Sequence, residues 1–316
     1  MADVRHLLAI NQLTNDTILG LLALARRIKS DAGEYRPLAG KTLALLFAKA
    51  STRTRVSFEV GMFQLGGHAL VLPVKDSQLG RGEPISDTAK VLSRYVDGIM
   101  LRTYQHESLV KLATHASVPV INGLTDTFHP CQVLADLLTI VDAFGAAKLR
   151  TLTVAWVGDG NNMAHSWIGA AQVLGFELRL ACPKGYEPDA DILAKAQAHN
   201  QNIKLYDSVM PAVEGCHVVT TDVWASMGQE VEASIRQTDF APFQVNGAVM
   251  RAADPSAIFL HCLPAHRGEE VTAEVIDGPQ SMVFDEAENR LHIQKAILCW
   301  SIGRQTLPSS FDDGRD

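Results

Sequence analysis

Thr42-Leu43-Ala44-Leu45-Leu46-Phe47, then Lys49-Ala50-Ser51-Thr52-Arg53-Thr54-Arg55, then Val56-Ser57-Phe58-Glu59-Val60-Gly61-Met62-Phe63: the rest of the chain is organised around this stretch. The first run is apolar and of strand length, whereas the last carries its apolar residues at helical spacing. The polar block between them sits at a strand-to-helix junction. There Ser and Thr can cap the helix while its first backbone N–H groups point outward. A helix start of this kind attracts anions. Ser51, Thr52 and Thr54 add hydroxyls, and Arg53 adds a planar fork matched to two phosphate oxygens. The expected ligand is a dianionic phosphate. The plainer alternative is an ordinary capped helix with solvated basic residues, and the motifs further along decide between the two.

Outward from this junction the chain alternates. A helix capped by Thr14 or Asn15 presents Ile18, Leu21, Leu22 and Ala25 on one face. Strands are expected at 68–72, 98–101 and 118–121, and a long helix from Pro130 to about Phe144. After Gly145 the alternation restarts, with strands at 152–157, 177–182, 202–205, 217–221 and 257–260. Strand–helix alternation at this spacing implies parallel sheets covered on both faces. The fold class is therefore α/β, with two doubly wound parallel-sheet domains over 1–147 and 148–316. The last helix, about 286–303, is expected to return to the first domain.

Composition narrows the function. The 316 residues carry a formal net charge of −7, with 20% charged and 47% hydrophobic residues. That balance argues against a nucleic-acid partner, so the arginines mark a local site rather than a basic face. No run approaches the 18 or so apolar residues of a membrane helix. The N-terminus lacks a basic-then-apolar signal pattern. The five cysteines, Cys131, Cys182, Cys216, Cys262 and Cys299, are scattered without a C-x-x-C pair, so neither a zinc site nor a disulfide framework is indicated. A cytoplasmic location follows as the expectation.

In open parallel sheets ligands bind beyond the carboxyl ends of the strands, and each unusual motif falls at such an end. Arg102 closes one strand. His129-Pro130-Cys131-Gln132 opens the long helix, offering an imidazole and, one turn on, an amide. Pro130 alone is ordinary at a first helical position, but that does not account for Gln132. Gly158-Asp159-Gly160 invites a dinucleotide reading, which fails because residue 163 is Met163 and the next strand ends without an acid for a ribose hydroxyl. Asn161 and Asn162 instead place neutral amides at a helix start, suited to a substrate carboxylate. Asp222 suits a substrate ammonium, or else is a loop aspartate. In His261-Cys262-Leu263-Pro264 the thiol is either functional or a small buried hydrophobe.

S-T-R-T-R, Arg102, H-P-C-Q, G-D-G-N-N, D-V-W-A-S-M-G-Q-E and H-C-L-P, in this order and spacing, resemble the ornithine-using branch of the aspartate/ornithine carbamoyltransferase family. Phe284-Asp285-Glu286-Ala287-Glu288-Asn289-Arg290 fits the same pattern. The resemblance implies that carbamoyl phosphate is held by Ser51, Thr52, Arg53, Thr54, Arg102, His129, Gln132, Cys262, Leu263 and Arg290. Gln78 would join from a neighbouring subunit. L-Ornithine would be held by Asn162, Asp222, Ser226 and Met227, with Arg102, His129 and Cys262 as the catalytic set. The implied reaction is transfer of the carbamoyl group to the δ-amine, in a homotrimer or a multiple of it. No metal or organic cofactor is called for. Two alternatives stay open. One is carbamoylation of aspartate, putrescine or an acylated ornithine; the other is a noncatalytic homologue that keeps the fold.

Overall fold

The computed structural model describes residues 4–30, 35–225, 233–309 and 311. Contacts divide the chain into two units: Met1–Leu138 with Asn289–Asp316, and Thr139–Glu288. The sequence places its division at 147/148, just past Gly145. The contact division instead falls inside two helices, Pro130–Phe144 and Val283–Ser301. A helix crossing from one unit to the next carries no turn residue at the crossing point, so only contacts can locate it.

In unit 1, β1 (Thr42–Phe47), β2 (His68–Pro73), β3 (Gly98–Arg102) and β4 (Val120–Leu124) form a parallel sheet in the order β2-β1-β3-β4. β1 is buried along its middle and β3 throughout, as expected of strands covered on both faces. Leu46, Ile99, Leu101, Leu109, Leu112 and Val120 are among the residues of one core cluster. Thr14 caps the first helix, its Oγ1 accepting from Thr17 N at 3.1 Å. The sequence ends this strand at Ile121, yet Asn122 and Gly123 lie within β4. The reason is packing: the register shifts between Leu101 and Arg102, and a side chain at Gly123 would collide with Met100.

In unit 2, β5 (Thr153–Val157), β6 (Glu177–Ala181), β7 (Ile203–Tyr206), β8 (Val218–Thr221) and β9 (Ile258–His261) form a second parallel sheet, ordered β7-β6-β5-β8-β9. Its core includes Val157, Val213, Val219, Phe243, Phe259 and Val275.

Each sheet reverses its winding once, between β1 and β3 in unit 1 and between β5 and β8 in unit 2. Register then decides what is exposed there. Phe47 pairs with Arg102, so the Ser51 motif and Arg102 leave adjacent strands at one level. Val157 pairs with Thr221 and Thr221 with His261, so the segments starting at Gly158, Asp222 and Cys262 also leave at one level. These switch points are where open α/β sheets bind ligands. Among the described residues no helix is long and apolar enough to cross a membrane.

Candidate functional site

The unit 1 cluster is built on the helix Thr52–Gln64. Ser51 is its N-cap, in extended backbone conformation, with Oγ accepting from Thr54 N at 3.2 Å. The same hydroxyl donates to Thr54 Oγ1 at 3.1 Å. Thr54 is fully buried and also receives Arg290 Nη2 at 2.9 Å. Arg290 Nη1 donates to Gln132 Oε1 at 2.9 Å, and Gln132 Nε2 donates to Asp136 Oδ1 at 2.8 Å. One chain of bonds thus joins the cap of one helix to the first turn of another through an arginine near the C-terminus. His129 is buried at the start of the helix Pro130–Phe144, and its pKa lies well below the usual histidine value. Burial is the largest cause, followed by the positive charges of Arg290, Arg102 and Arg53. His129 is therefore neutral at pH 7 amid three guanidinium groups, able to donate an N–H without adding charge.

The sequence-expected residues Ser51, Arg53, Thr54, Arg102, His129, Gln132 and Arg290 are linked in this way within unit 1. Thr52 is exposed at the first helical position, and Gln78 is exposed in the loop at 77–83. Two residues were missed. Asp136 lies one turn beyond Gln132, so i,i+4 helical spacing could have found it. Lys49, quoted only as part of the motif, is buried, pairs with Asp126 at 2.9 Å and lies 4.6 Å from the centre of the Tyr104 ring.

The unit 2 cluster centres on Asp222. Its Oδ1 accepts from Val223 N at 2.8 Å and from Cys262 Sγ at 3.2 Å. Its Oδ2 accepts from Asn161 Nδ2 at 3.1 Å. Asn161 is the N-cap of the helix Asn162–Leu174, its Oδ1 accepting from Met163 N and Ala164 N. Asn161 rather than Asn162 therefore holds Asp222, a division of labour that two adjacent asparagines do not reveal in sequence. Asn162 lies half-buried in the first turn, its carbonyl accepting from Ser166 Oγ at 2.7 Å. Ser226 and Met227 lie outside the described residues. Arg236 Nη1 bonds Trp224 O and Asp159 Oδ2, each at 2.8 Å. Burial raises the Asp159 pKa, with Arg236 pulling against it.

Cys262 and Leu263 belong to unit 2. Cys262 is half-buried, whereas Cys131, Cys182, Cys216 and Cys299 are buried. Burial pushes Cys131, Cys216 and Cys299 up to about 12, which leaves them inert thiols. Leu263 has φ 55°, a left-handed conformation that costs a branched residue about 1–3 kcal/mol.

Gly160 must lack a side chain because a Cβ there would meet the backbone of Glu187 and Pro188. The second glycine of Gly158-Asp159-Gly160 thus serves a close approach of the chain to itself. Asp222, His261 and Cys262 bring possible ligand atoms within 4.8 Å of one another. Both ring nitrogens of His261 are already engaged, one with Leu263 N and one with Glu270. Imidazole coordination there would break one of these bonds.

Two family models match the chain: the carbamoyl-P binding domain of aspartate/ornithine carbamoyltransferase over residues 5–142, and its Asp/Orn binding domain over residues 150–301. The chain belongs to the aspartate/ornithine carbamoyltransferase family. A relative from Syntrophotalea carbinolica named ornithine carbamoyltransferase is 57% identical over 278 residues, 88% of this chain and 91% of that one. One of the same name from Carboxydothermus hydrogenoformans is 58% identical over 307 residues, 95% of this chain and 98% of that one. The solved ornithine carbamoyltransferase from Pyrococcus furiosus superposes with a TM-score of 0.91 at 50% identity, covering 96% of this chain and 98% of that one.

Proposed function

We propose that this chain transfers the carbamoyl group of carbamoyl phosphate to the δ-amine of L-ornithine, giving L-citrulline and phosphate. The observation that carries the reading is the charge within each unit's cluster, in a chain similar over nearly its whole length to ornithine carbamoyltransferases. Unit 1 gathers Arg53, Arg102 and Arg290 around a neutral His129 beside a capped helix start. Unit 2 offers the Asp222 carboxylate with the neutral amide of Asn161 donating to it.

Carbamoyl phosphate lies with its phosphate on Ser51, Thr52, Arg53 and Thr54. Its carbamoyl oxygen meets Arg102 and His129, with Gln132 and Arg290 beside them. Asp222 takes the α-ammonium of ornithine, and Asn162 its carboxylate. The δ-amine attacks the carbamoyl carbon uncharged, and phosphate leaves. Negative charge grows on the carbonyl oxygen and then on the phosphate, so the arginines, His129 and Thr54 stabilise the transition state more than the ground state. Cys262, whose thiol donates to Asp222, helps position the attacking amine, and the proton the amine loses leaves with the departing phosphate. The chemistry requires no metal and no organic cofactor. Gln78, exposed in its own subunit, contributes to a neighbour's site in a homotrimer or a multiple of it. The enzyme acts in the cytoplasm, in arginine biosynthesis.

Aspartate is disfavoured as the acceptor because a second carboxylate needs a cation. The segment 222–230 contains no Lys or Arg, and residue 265 is Ala265. Putrescine has no carboxylate for Asn162 to meet. The test is carbamoylation of ornithine, lysine, putrescine, aspartate and N-acetylornithine at equal concentrations. Ornithine is expected to react fastest, and a faster rate with any of the others would overturn the assignment.

A further inference from the structure

The peptide that carries Cys262 and Leu263 is held from behind by groups the proposed chemistry does not use. Leu263 N donates to His261 Nδ1 at 2.9 Å, which makes Nδ1 the unprotonated nitrogen of the ring. The ring proton is therefore on Nε2 and is donated to Glu270 Oε1 at 3.1 Å. Glu270 is wholly buried, and the same oxygen accepts from His266 N at 2.6 Å. His261 is buried as well, and its own amide donates to Glu286 Oε2 at 2.8 Å. A neutral imidazole thus bridges a buried carboxylate to the amide of a leucine in left-handed conformation, one residue beyond the thiol facing Asp222.

The geometry points to Glu270 as a positioning residue of the amine half-site: through His261 it selects the ring tautomer that holds the Leu263 amide and, with it, the Cys262 thiol against Asp222. Without the Glu270 acceptor the proton is free to sit on Nδ1, which then repels the Leu263 N–H and releases the left-handed turn. The inference rests on the reading of unit 2 as the amine half-site. It adds a residue that neither touches substrate nor falls in any of the sequence motifs.

A double-mutant cycle on the full chain tests it. In the His261→Asn variant the side-chain oxygen can still accept from Leu263 N without needing a tautomer, whereas Gln at this position reaches towards Glu270 and leaves Leu263 N unmet. Glu270→Gln keeps an accepting oxygen and should restore what Glu270→Ala loses. Citrulline formation is followed together with the alkylation rate of Cys262 by iodoacetamide, located by mass spectrometry, and with melting temperature. Glu270→Ala and His261→Gln are expected to lower kcat about tenfold, as small misplacements do, with KM for carbamoyl phosphate within about twofold. Both should also change Cys262 alkylation severalfold. In the His261→Asn background Glu270→Ala should cost less than about twofold, because its route of action is gone. Equal losses in the two backgrounds, or an alkylation rate indifferent to Glu270, would overturn the inference. Should the parent chain make no citrulline, the proposed reaction fails, and the alkylation series alone decides whether Glu270 acts through His261.

Discussion

Arg53 and Arg102 differ from the surface arginines in what surrounds them. Both place positive charge near His129, and Arg102 is buried at the end of β3. On the proposed assignment, Ala at either position removes a charge-assisted donor to the developing oxyanion or phosphate. kcat/KM should fall roughly 10²-fold or more, with Arg53→Lys recovering only part because the two-pronged fork is lost. Near-normal turnover of both Ala variants would remove these residues from the site. A substitution at Asp222 distinguishes the two proposed substrates. Asp222→Asn keeps an acceptor for Val223 N but loses the charge that offsets an ammonium. Ornithine turnover should drop at least tenfold while carbamoyl phosphate affinity, read by calorimetry, stays within about twofold.

At the scale of the element, the first turn of the helix Thr52–Gln64 is capped by Ser51 and is proposed to hold the phosphate, and substitutions at Ser51 separate the two. As N-cap, Ser51 satisfies Thr54 N. Ser51→Ala should cost about 1 kcal/mol of stability. Ser51→Asp supplies an equally good cap and suits the positive end of the helix dipole, so the melting temperature should stay near wild type. It also puts a negative charge where the phosphate is to bind, and carbamoyl phosphate affinity should collapse. If the Asp variant binds carbamoyl phosphate as well as wild type, the anion site lies elsewhere. The neighbouring helix Pro130–Phe144 shows why a motif is more than its letters. Gln132 carries its amide in a fixed sense, N–H to Asp136 and oxygen to Arg290, and an isolated H-P-C-Q does not specify that orientation.

For the whole molecule, the buried His129 predicts a pH dependence of stability. Unfolded, it titrates near the ordinary value of about 6.5. Folded, its pKa is well below that, because of burial first and the three arginines after it. Below about pH 6.5 the unfolded chain binds one more proton, so stability falls as pH falls, by up to about 1.4 kcal/mol per pH unit, until the folded pKa is reached. Above pH 6.5 the contribution is fully present. Urea denaturation between pH 5 and 8 should show this slope in wild type and a shallower one in His129→Gln; parallel curves would contradict the assignment. Binding offers a second test. Carbamoyl phosphate is assigned mainly to unit 1 and ornithine to unit 2, and the reaction needs both at once. Calorimetry should therefore find ornithine bound more tightly when an unreactive carbamoyl phosphate analogue is present, and equal affinities would refute the coupling.

Much of this protein was legible in its letters, for a physical reason. Strand-length apolar runs, helical periodicity and cap residues are local signals, so the alternation that makes two parallel sheets, and the placement of Ser51, Arg102 and Asp222 at strand ends, follow from short stretches. Local reading set the strand end too early where packing extends it, as at Asn122-Gly123 in β4. The links between distant residues belonged to tertiary structure alone. Arg290 meets Thr54 across 236 positions and Gln132 across 158. Nothing near Glu270 or Glu286 in sequence marks either as a buried acceptor for His261 rather than a solvated surface acid. Whether a carboxylate is buried and paired depends on which elements cover it, and that is fixed only when the sheets and helices pack.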